Sequence, residues 1–365
     1  MFVLLGVDVE PDRPDFGGKR YDYFGFQKWA CLSKGIPEFL CIRDDLQKEL
    51  ETDIRLTWFF RSDSQIKMIY GNAAWAIEQH KGIIDKVQES KDEIGWHAHT
   101  WRWNKDRGSW YQEINDNQWI EHCYKTGFSD FRKSSGFAPT SFRAGWCFHN
   151  NISMTLLEEL GIEVDLSAMP GIKNSGNANT PDGSLFKGFA DWERTPAYPY
   201  YPSKEDYQIP GNNHYEVLEI PVTTFKKPLV SYIHQILPFR IFGGIKLAKP
   251  ELTLSKYALS PTCDPLLFKR GILAVLKRFK QSEHVFLVAS FHADELLSRI
   301  SLDNLLKNIR QTVTICKKRK LDIRFTTAKE AFDLCQNNYS ENNELLSKDY
   351  GTIGTGIRSL WRSRL

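Results

Sequence analysis

Residues 93–101 read Glu-Ile-Gly-Trp-His-Ala-His-Thr-Trp, and the His97-x-His99 pair within them is the strongest chemical feature of the chain. Side chains alternate along an extended backbone, so both imidazoles fall on one face and can converge on a divalent metal ion. The plain alternative, two surface histidines at a strand end, has to be weighed against the other reactive residues. Asp8 and Glu10 repeat the two-residue spacing at the end of the apolar run at 2–7. Arg61 and Asp63, Arg143, Asp165 and His292 each stand at the end of a short strand-like run. A carboxylate with two imidazoles suits a catalytic zinc-type site with an open water position. A second carboxylate and a distant histidine are then free to act as general base and general acid. The set describes metal-assisted hydrolysis without naming a substrate.

These residues need elements to hold them. Apolar runs predict strands at 2–7, 56–60, 93–100, 139–146, 161–165, 217–222, 284–289 and 323–326. Helical patterns fill the intervals at 36–52, 73–91, 111–133, 150–160, 265–281, a stretch ending at about 318, and 328–336. Strand, polar tip and helix recur, which predicts parallel βα units whose tips meet at the mouth of a barrel. Residues 172–215, rich in Gly, Asn, Pro and Tyr, read as a long functional loop. Its Tyr198, Tyr200, Ser203, Asp206 and Tyr207 are candidate sugar contacts or simply pack the loop on itself. Residues 226–252 are apolar and basic, a candidate for packing, a lid, an oligomer contact or a peripheral membrane contact. Residues 337–365 read as a polar and basic tail.

Composition narrows the classes. A net charge of +3 is too small to make nucleic acid the main partner. Seven scattered Cys without a Cys-x-x-Cys read as reduced thiols, and the four apolar residues after Met1 are too few for a leader or a membrane span. The expectation is a cytoplasmic protein. Eleven Trp, with Trp96, Trp101 and Trp103 crowded around the histidines, suit walls for a sugar ring.

The order of the tip motifs resembles the polysaccharide deacetylases, the NodB-homology group of family 4 carbohydrate esterases. The matching pieces are VDVE at 7–10, EIGWHAHTW at 93–101, FRAGW at 142–146, VDLSAMPG at 164–171 and ASFHADEL at 289–296. The likeness is greatest to members found among genes for bacterial surface polysaccharides such as O-antigen. It implies a distorted (β/α)7-type barrel with loop insertions, spanning 1–336 with 172–252 inserted. It also implies a metal-dependent N-deacetylase acting on an acetamido sugar, lipid-linked and nucleotide-linked forms included. By the family's motifs, Asp8 is the general base, His97 a metal ligand, Arg143 the residue orienting the base, Asp165 the support of that Arg, and His292 the general acid.

Two departures qualify this. Where the family has adjacent aspartates, Val9 follows Asp8, and Glu10 is the substitute ligand because it shares a face with Asp8. The family's second histidine, four residues on, falls here on Trp101, so His99 is the second ligand by geometry. The expected metal set is Glu10, His97 and His99 with a divalent ion, zinc foremost. Trp96, Trp101, Trp146, Arg61 and Asp63 are the expected substrate contacts, with Arg61 and Asp63 open equally to a structural reading as an ion pair behind the site. His149 is left between pocket wall and surface. A rival reading is a carbohydrate-binding relative that has lost catalysis. Metal hydrolases with His-x-His on their first strand fit less well, because the first strand here carries Asp-x-Glu. The oligomeric state is left open.

Overall fold

The computed structural model describes residues 1–12, 27–173, 190–226, 256–280 and 284–341, with the backbone of two further short strands. In chain order the strands are β1 (Phe2–Val9), β2 (Thr57–Arg61), β3 (Glu93–Ala98), β4 (Trp101–Asn104), β5 (Ser109–Gln112), β6 (Ser141–Ala144) and β7 (Val164–Asp165). They continue with β8 (Ala178–Asn179), β9 (Leu185–Phe186), β10 (Leu218–Glu219), β11 (Thr224–Lys226), β12 (Lys256–Ala258), β13 (Phe286–His292) and β14 (Arg324–Thr326). The helices are α1 (Ile36–Leu50), α2 (Ser64–Tyr70), α3 (Trp75–Gln79), α4 (Lys81–Glu89), α5 (Asn117–Ser135), α6 (Asn151–Glu159), α7 (Pro265–Arg278), α8 (Arg299–Lys318) and α9 (Ala328–Glu341).

The main sheet runs β10-β7-β6-β3-β2-β1-β13, with β14 also on β1, and every pairing in it is parallel. After β10 the chain swings across to β13, where the Thr223 N–H donates to the Val288 carbonyl at 2.9 Å and Leu259 and Ser290 continue the contact. The curved sheet is thereby closed into a distorted barrel.

Alternation along the strands separates two layers. Val3, Leu5, Val7 and Val9 face the surrounding helices, while Leu4 points inward to meet Phe59, Val164, Leu166, Leu218 and Val288. Ala328, Ala331 and Phe332 of α9 join that inner cluster and plug the bottom of the barrel. Thr57 Oγ1 and the Glu93 carboxylate receive the first N–H groups of that helix, at 2.8 Å each. Phe59 fills the interior so tightly that a Cβ on Gly95 would lie 2.6 Å from its ring, which is why glycine stands there. The same parity carries Asp8, Arg61, His97, Arg143 and His292 to the upper interior, at the C-terminal strand ends.

Some expectations change. The helix expected from 111 begins at Asn117, because Trp101–Gln112 forms the antiparallel hairpin β4–β5 and Asp116 caps the helix by accepting the Trp119 N–H at 3.1 Å. The helix expected over 73–91 is two, α3 and α4, broken where His80 leaves helical backbone angles. The loop at 190–216 packs on itself: Tyr200 is buried, its hydroxyl donates to the Tyr207 carbonyl at 3.1 Å, and Arg194 pairs with Asp206 at 2.5 Å. Residues 227–255, nearly all of the apolar and basic segment, lie outside the described residues, as does the tail beyond α9. No helix among the described residues is long and apolar enough to cross a membrane.

Candidate metal and catalytic site

His97 and His99 leave β3 on the interior face, and their Nε2 atoms come within 3.1 Å of each other. The His97 Nδ1 lies 2.8 Å from the Arg143 backbone carbonyl. A carbonyl only accepts, so Nδ1 carries the proton and the Nε2 lone pair faces the His99 ring. His99 Nε2 is also 3.4 Å from the Glu10 Oε2. One donor atom from each of Glu10, His97 and His99 lies within 4.8 Å of the other two, and all three residues are buried. Burial holds both imidazoles below their ordinary pKa, His99 at about 3, against the pull of Glu10 and, for His97, Asp8. With the proton of His97 on Nδ1, the contact between the two Nε2 atoms can be a hydrogen bond from His99 Nε2–H, and moving that proton to the unpartnered His99 Nδ1 would turn both Nε2 lone pairs and the Glu10 carboxylate toward one cation. The donor set fits a divalent ion of the zinc type.

The His99 ring is held by shape. Trp101 stacks on it at 5.7 Å between centroids, and Gly145 lies so close that a Cβ there would sit 2.2 Å from the His99 Cγ. Its Nδ1 has no hydrogen-bond partner among the described residues.

Asp8 lies beside this group, its Oδ1 4.0 Å from the His97 Nδ1. The Arg143 Nε donates to Asp8 Oδ2 at 3.1 Å and stands 2.9 Å from Oδ1 in the same ion pair, and its guanidinium continues to the Leu166 carbonyl and to the Cys147 sulfur at 3.6 Å. Burial pushes the Asp8 carboxyl up, but Arg143, His97 and His292 outweigh it and the net shift is downward. Asp8 is therefore a carboxylate held in place and favoured in its ionised form. On the opposite side, the His292 Nδ1 sits 2.9 Å from Glu10 Oε1, and this side chain is 31% exposed. Its other nitrogen is not engaged by this contact.

Asp165 stands apart from Arg143. Val164 and Leu166 take the interior face of their strand, so Asp165 faces the helices. There it pairs with His149 Nε2 at 2.9 Å and accepts from the Ser167 hydroxyl at 2.6 Å. Glu219, its neighbour in register, is pushed well up by burial and by Asp165. Arg143 is steadied by Leu166, with Asp165 acting only at one remove through Ser167, whose hydroxyl holds the Ala144 N–H at 2.7 Å.

The expected substrate contacts divide. Trp96 is fully buried on the helix side of β3 among Tyr124, Phe128 and Phe142, and is core. Its parity is opposite to that of His97, so it cannot face the mouth. Arg61 and Asp63 are likewise buried: Arg61 donates to Glu10 at 3.2 Å and to Asp63 at 2.7 Å. Trp101 is buried behind His99. Trp146 alone of this group is partly exposed, in a left-handed conformation (φ 57°) shared by Cys147 (φ 53°). Two successive strained residues at a strand tip are a common mark of a functional loop. Glu219 and the buried role of His149 are absent from the sequence-based reading, because neither lies on a recognisable spacing with Asp165.

No family model and no curated protein matches the sequence. Solved structures do match. One, assigned as a polysaccharide deacetylase from Mycobacterium smegmatis, aligns at TM-score 0.50 and 14% identity over 92% of this chain and 90% of its own. Another, assigned as a glycoside hydrolase/deacetylase from Parabacteroides distasonis, aligns at TM-score 0.57 and 15% identity over 93% of this chain and 71% of its own. The PuuE allantoinase aligns at TM-score 0.50 and 14% identity over 93% and 91%. The chain has the distorted-barrel fold of these proteins. Their names carry different activities, so the fold leaves the reaction to be argued from the side chains.

Proposed function

We propose that this chain is a metal-dependent hydrolase that removes an N-acyl group, acetyl foremost, from an amino sugar during synthesis of a bacterial surface polysaccharide. The observation that carries the reading is the placement of an Arg-held carboxylate, Asp8, directly beside three converging metal donors. Glu10, His97 and His99 would hold the ion, zinc by the preference of two imidazoles. When bound, such an ion supplies Lewis acidity toward a carbonyl oxygen and lowers the pKa of a coordinated water.

The chain's own residues supply the rest. Asp8, fixed by two contacts from Arg143, accepts the proton of the attacking water. Arg143 keeps that carboxylate ionised and aimed. His292, steadied through Nδ1 by Glu10, presents its second nitrogen to the leaving amine and protonates it as the C–N bond breaks. Trp146 at the rim offers an aromatic face to a sugar ring. The sugar class rests on the motif order and on that rim, and the lipid-linked or nucleotide-linked form of the substrate belongs to the same proposal.

The test is elemental analysis of the purified protein, with acetate release measured on acetamido sugars. We expect about one equivalent of divalent metal in wild type and in Asp8→Asn, with acetate release in Asp8→Asn reduced by about 10²–10⁴-fold. Metal without acetate release from any acetamido sugar would sink the reaction. Neither metal nor acetate release would favour a carbohydrate-binding relative.

A further inference from the structure

Arg61 and Asp63 are closed to substrate, at 3% and 0% side-chain exposure, yet this one ion pair touches two of the three candidate ligands. The Asp63 Oδ2 accepts from the Arg61 Nε at 2.7 Å and from the backbone N–H of His99 at 3.1 Å. Its Oδ1 accepts the Ile66 N–H at 3.1 Å and so caps α2. The Arg61 Nη1 reaches Glu10 Oε2 at 3.2 Å, and its remaining nitrogen is fixed by the Gln65 side chain. One arm therefore runs to Glu10 beyond the end of β1 and the other to His99 just past β3, with the pair itself at the tip of β2 between them.

We propose that the Arg61–Asp63 pair is the outer clamp of the metal centre, setting the separation of Glu10 from His99 for a divalent ion. The proposal rests on the metal-centre reading above. Two physical needs support it. A glutamate arm is one methylene longer than an aspartate and has one more free torsion, so its carboxylate has to be pinned before it can act as a ligand. Glu10 is pinned at both oxygens, Oε1 by His292 and Oε2 by Arg61. A bare guanidinium beside a ligand would also repel the incoming cation. Asp63 cancels that charge, so the clamp orients Glu10 while staying neutral. The capped start of α2 and the Gln65 contact keep the clamp from swinging away.

The experiment is zinc affinity of the full chain, by competition with a chromogenic chelator, for wild type, Asp63→Asn, Arg61→Lys and Asp92→Asn. Asp92 forms a buried ion pair with Arg43 at 2.5 Å at the opposite end of the barrel, so its variant reports general destabilisation. We expect about 10–100-fold weaker zinc binding in Asp63→Asn and Arg61→Lys, and a change below about twofold in Asp92→Asn despite a lower Tm. Affinity near wild type in either clamp variant overturns the proposal, as does an equal loss in Asp92→Asn. Should the clamp variants fail to fold, wild type decides. Zinc should shift the Arg61 Nε–H resonance and slow hydrogen exchange at the His99 N–H, and no change at either overturns the clamp. Wild type that binds no zinc overturns the metal-centre reading itself, a result distinct from a bound ion indifferent to the clamp.

Discussion

Replacing Gly145 by Ala tests whether the His99 ring is a ligand held by shape. A Cβ at 145 would lie 2.2 Å from the His99 Cγ, 2.3 Å from Nδ1 and 2.4 Å from Cδ2. Ordinary contact begins at 3.4 Å, so the ring has to retreat by the difference, about 1.2 Å. Trp101 stacks on that ring and is itself buried, which leaves little room for retreat. A metal ligand tolerates displacement of only about 0.2 Å, so Nε2 leaves the donor set. Overpacking of this kind costs about 1–3 kcal/mol. Zinc affinity should fall by about 10-fold or more, and thermal unfolding should shift down by a few degrees. The control is Gly82→Ala on α4, where the added Cβ meets nothing within 4 Å. That variant should bind zinc as wild type does and gain up to about 1 kcal/mol from helix propensity. The assay is chelator competition alongside a thermal melt of each variant. Gly145→Ala with wild-type zinc affinity would refute the placement of His99 in the centre.

Two further outcomes follow from the layers of the barrel. Glu219 titrates above 4.5 in the folded chain, so its contribution to stability is present below that value and is lost as pH rises toward the folded pKa. Glu219→Gln, which mimics the protonated acid, should match wild type in Tm at about pH 4 and exceed it at about pH 8; an equal difference at both pH values contradicts a protonated Glu219. Trp96→Ala should cost about 3–5 kcal/mol in denaturant unfolding, because Trp96 packs against Tyr124, Phe128 and Phe142. A stable variant with weakened sugar binding would return Trp96 to the mouth.

Much of the site was legible because period-two alternation is a local rule. Asp8 with Glu10, and His97 with His99, share faces for that reason alone, and the structure gathers all four. The same rule, applied strictly, excludes Trp96, which sits one residue out of phase with His97. It also excludes a direct Asp165–Arg143 contact once Val164 and Leu166 are given the interior. For Arg61 and Asp63 the sequence left an ion pair and a substrate contact equally open, since a charged pair at a strand tip reads alike whether it faces solvent or braces a neighbour. The β4–β5 hairpin was hidden by polar residues at 104–109 that resemble the approach to a helix, although Asp116 carried the capping signal. The Asp165, His149 and Glu219 cluster joins three separate segments through space, and no local spacing records it.

The pairing of β1 with β13 bears on how the chain is made. Phe2 pairs with Phe286 and Asp8 with His292, contacts that span 284 residues of chain. At about 5–20 residues per second, a ribosome needs tens of seconds to deliver the partner of β1 after β1 itself has emerged. Through that interval β2 can cover one edge of β1, but the edge of FVLLGV that takes β13 stays unpaired and apolar, the kind of segment that seeks the wrong neighbour. Asp8 meets His292 only when β13 arrives, so the two sides of the candidate site come together among the last contacts to form. A chain halted before residue 286 would carry Glu10, His97 and His99 yet lack the strand that completes their surroundings, which makes early termination products candidates for aggregation rather than partial activity.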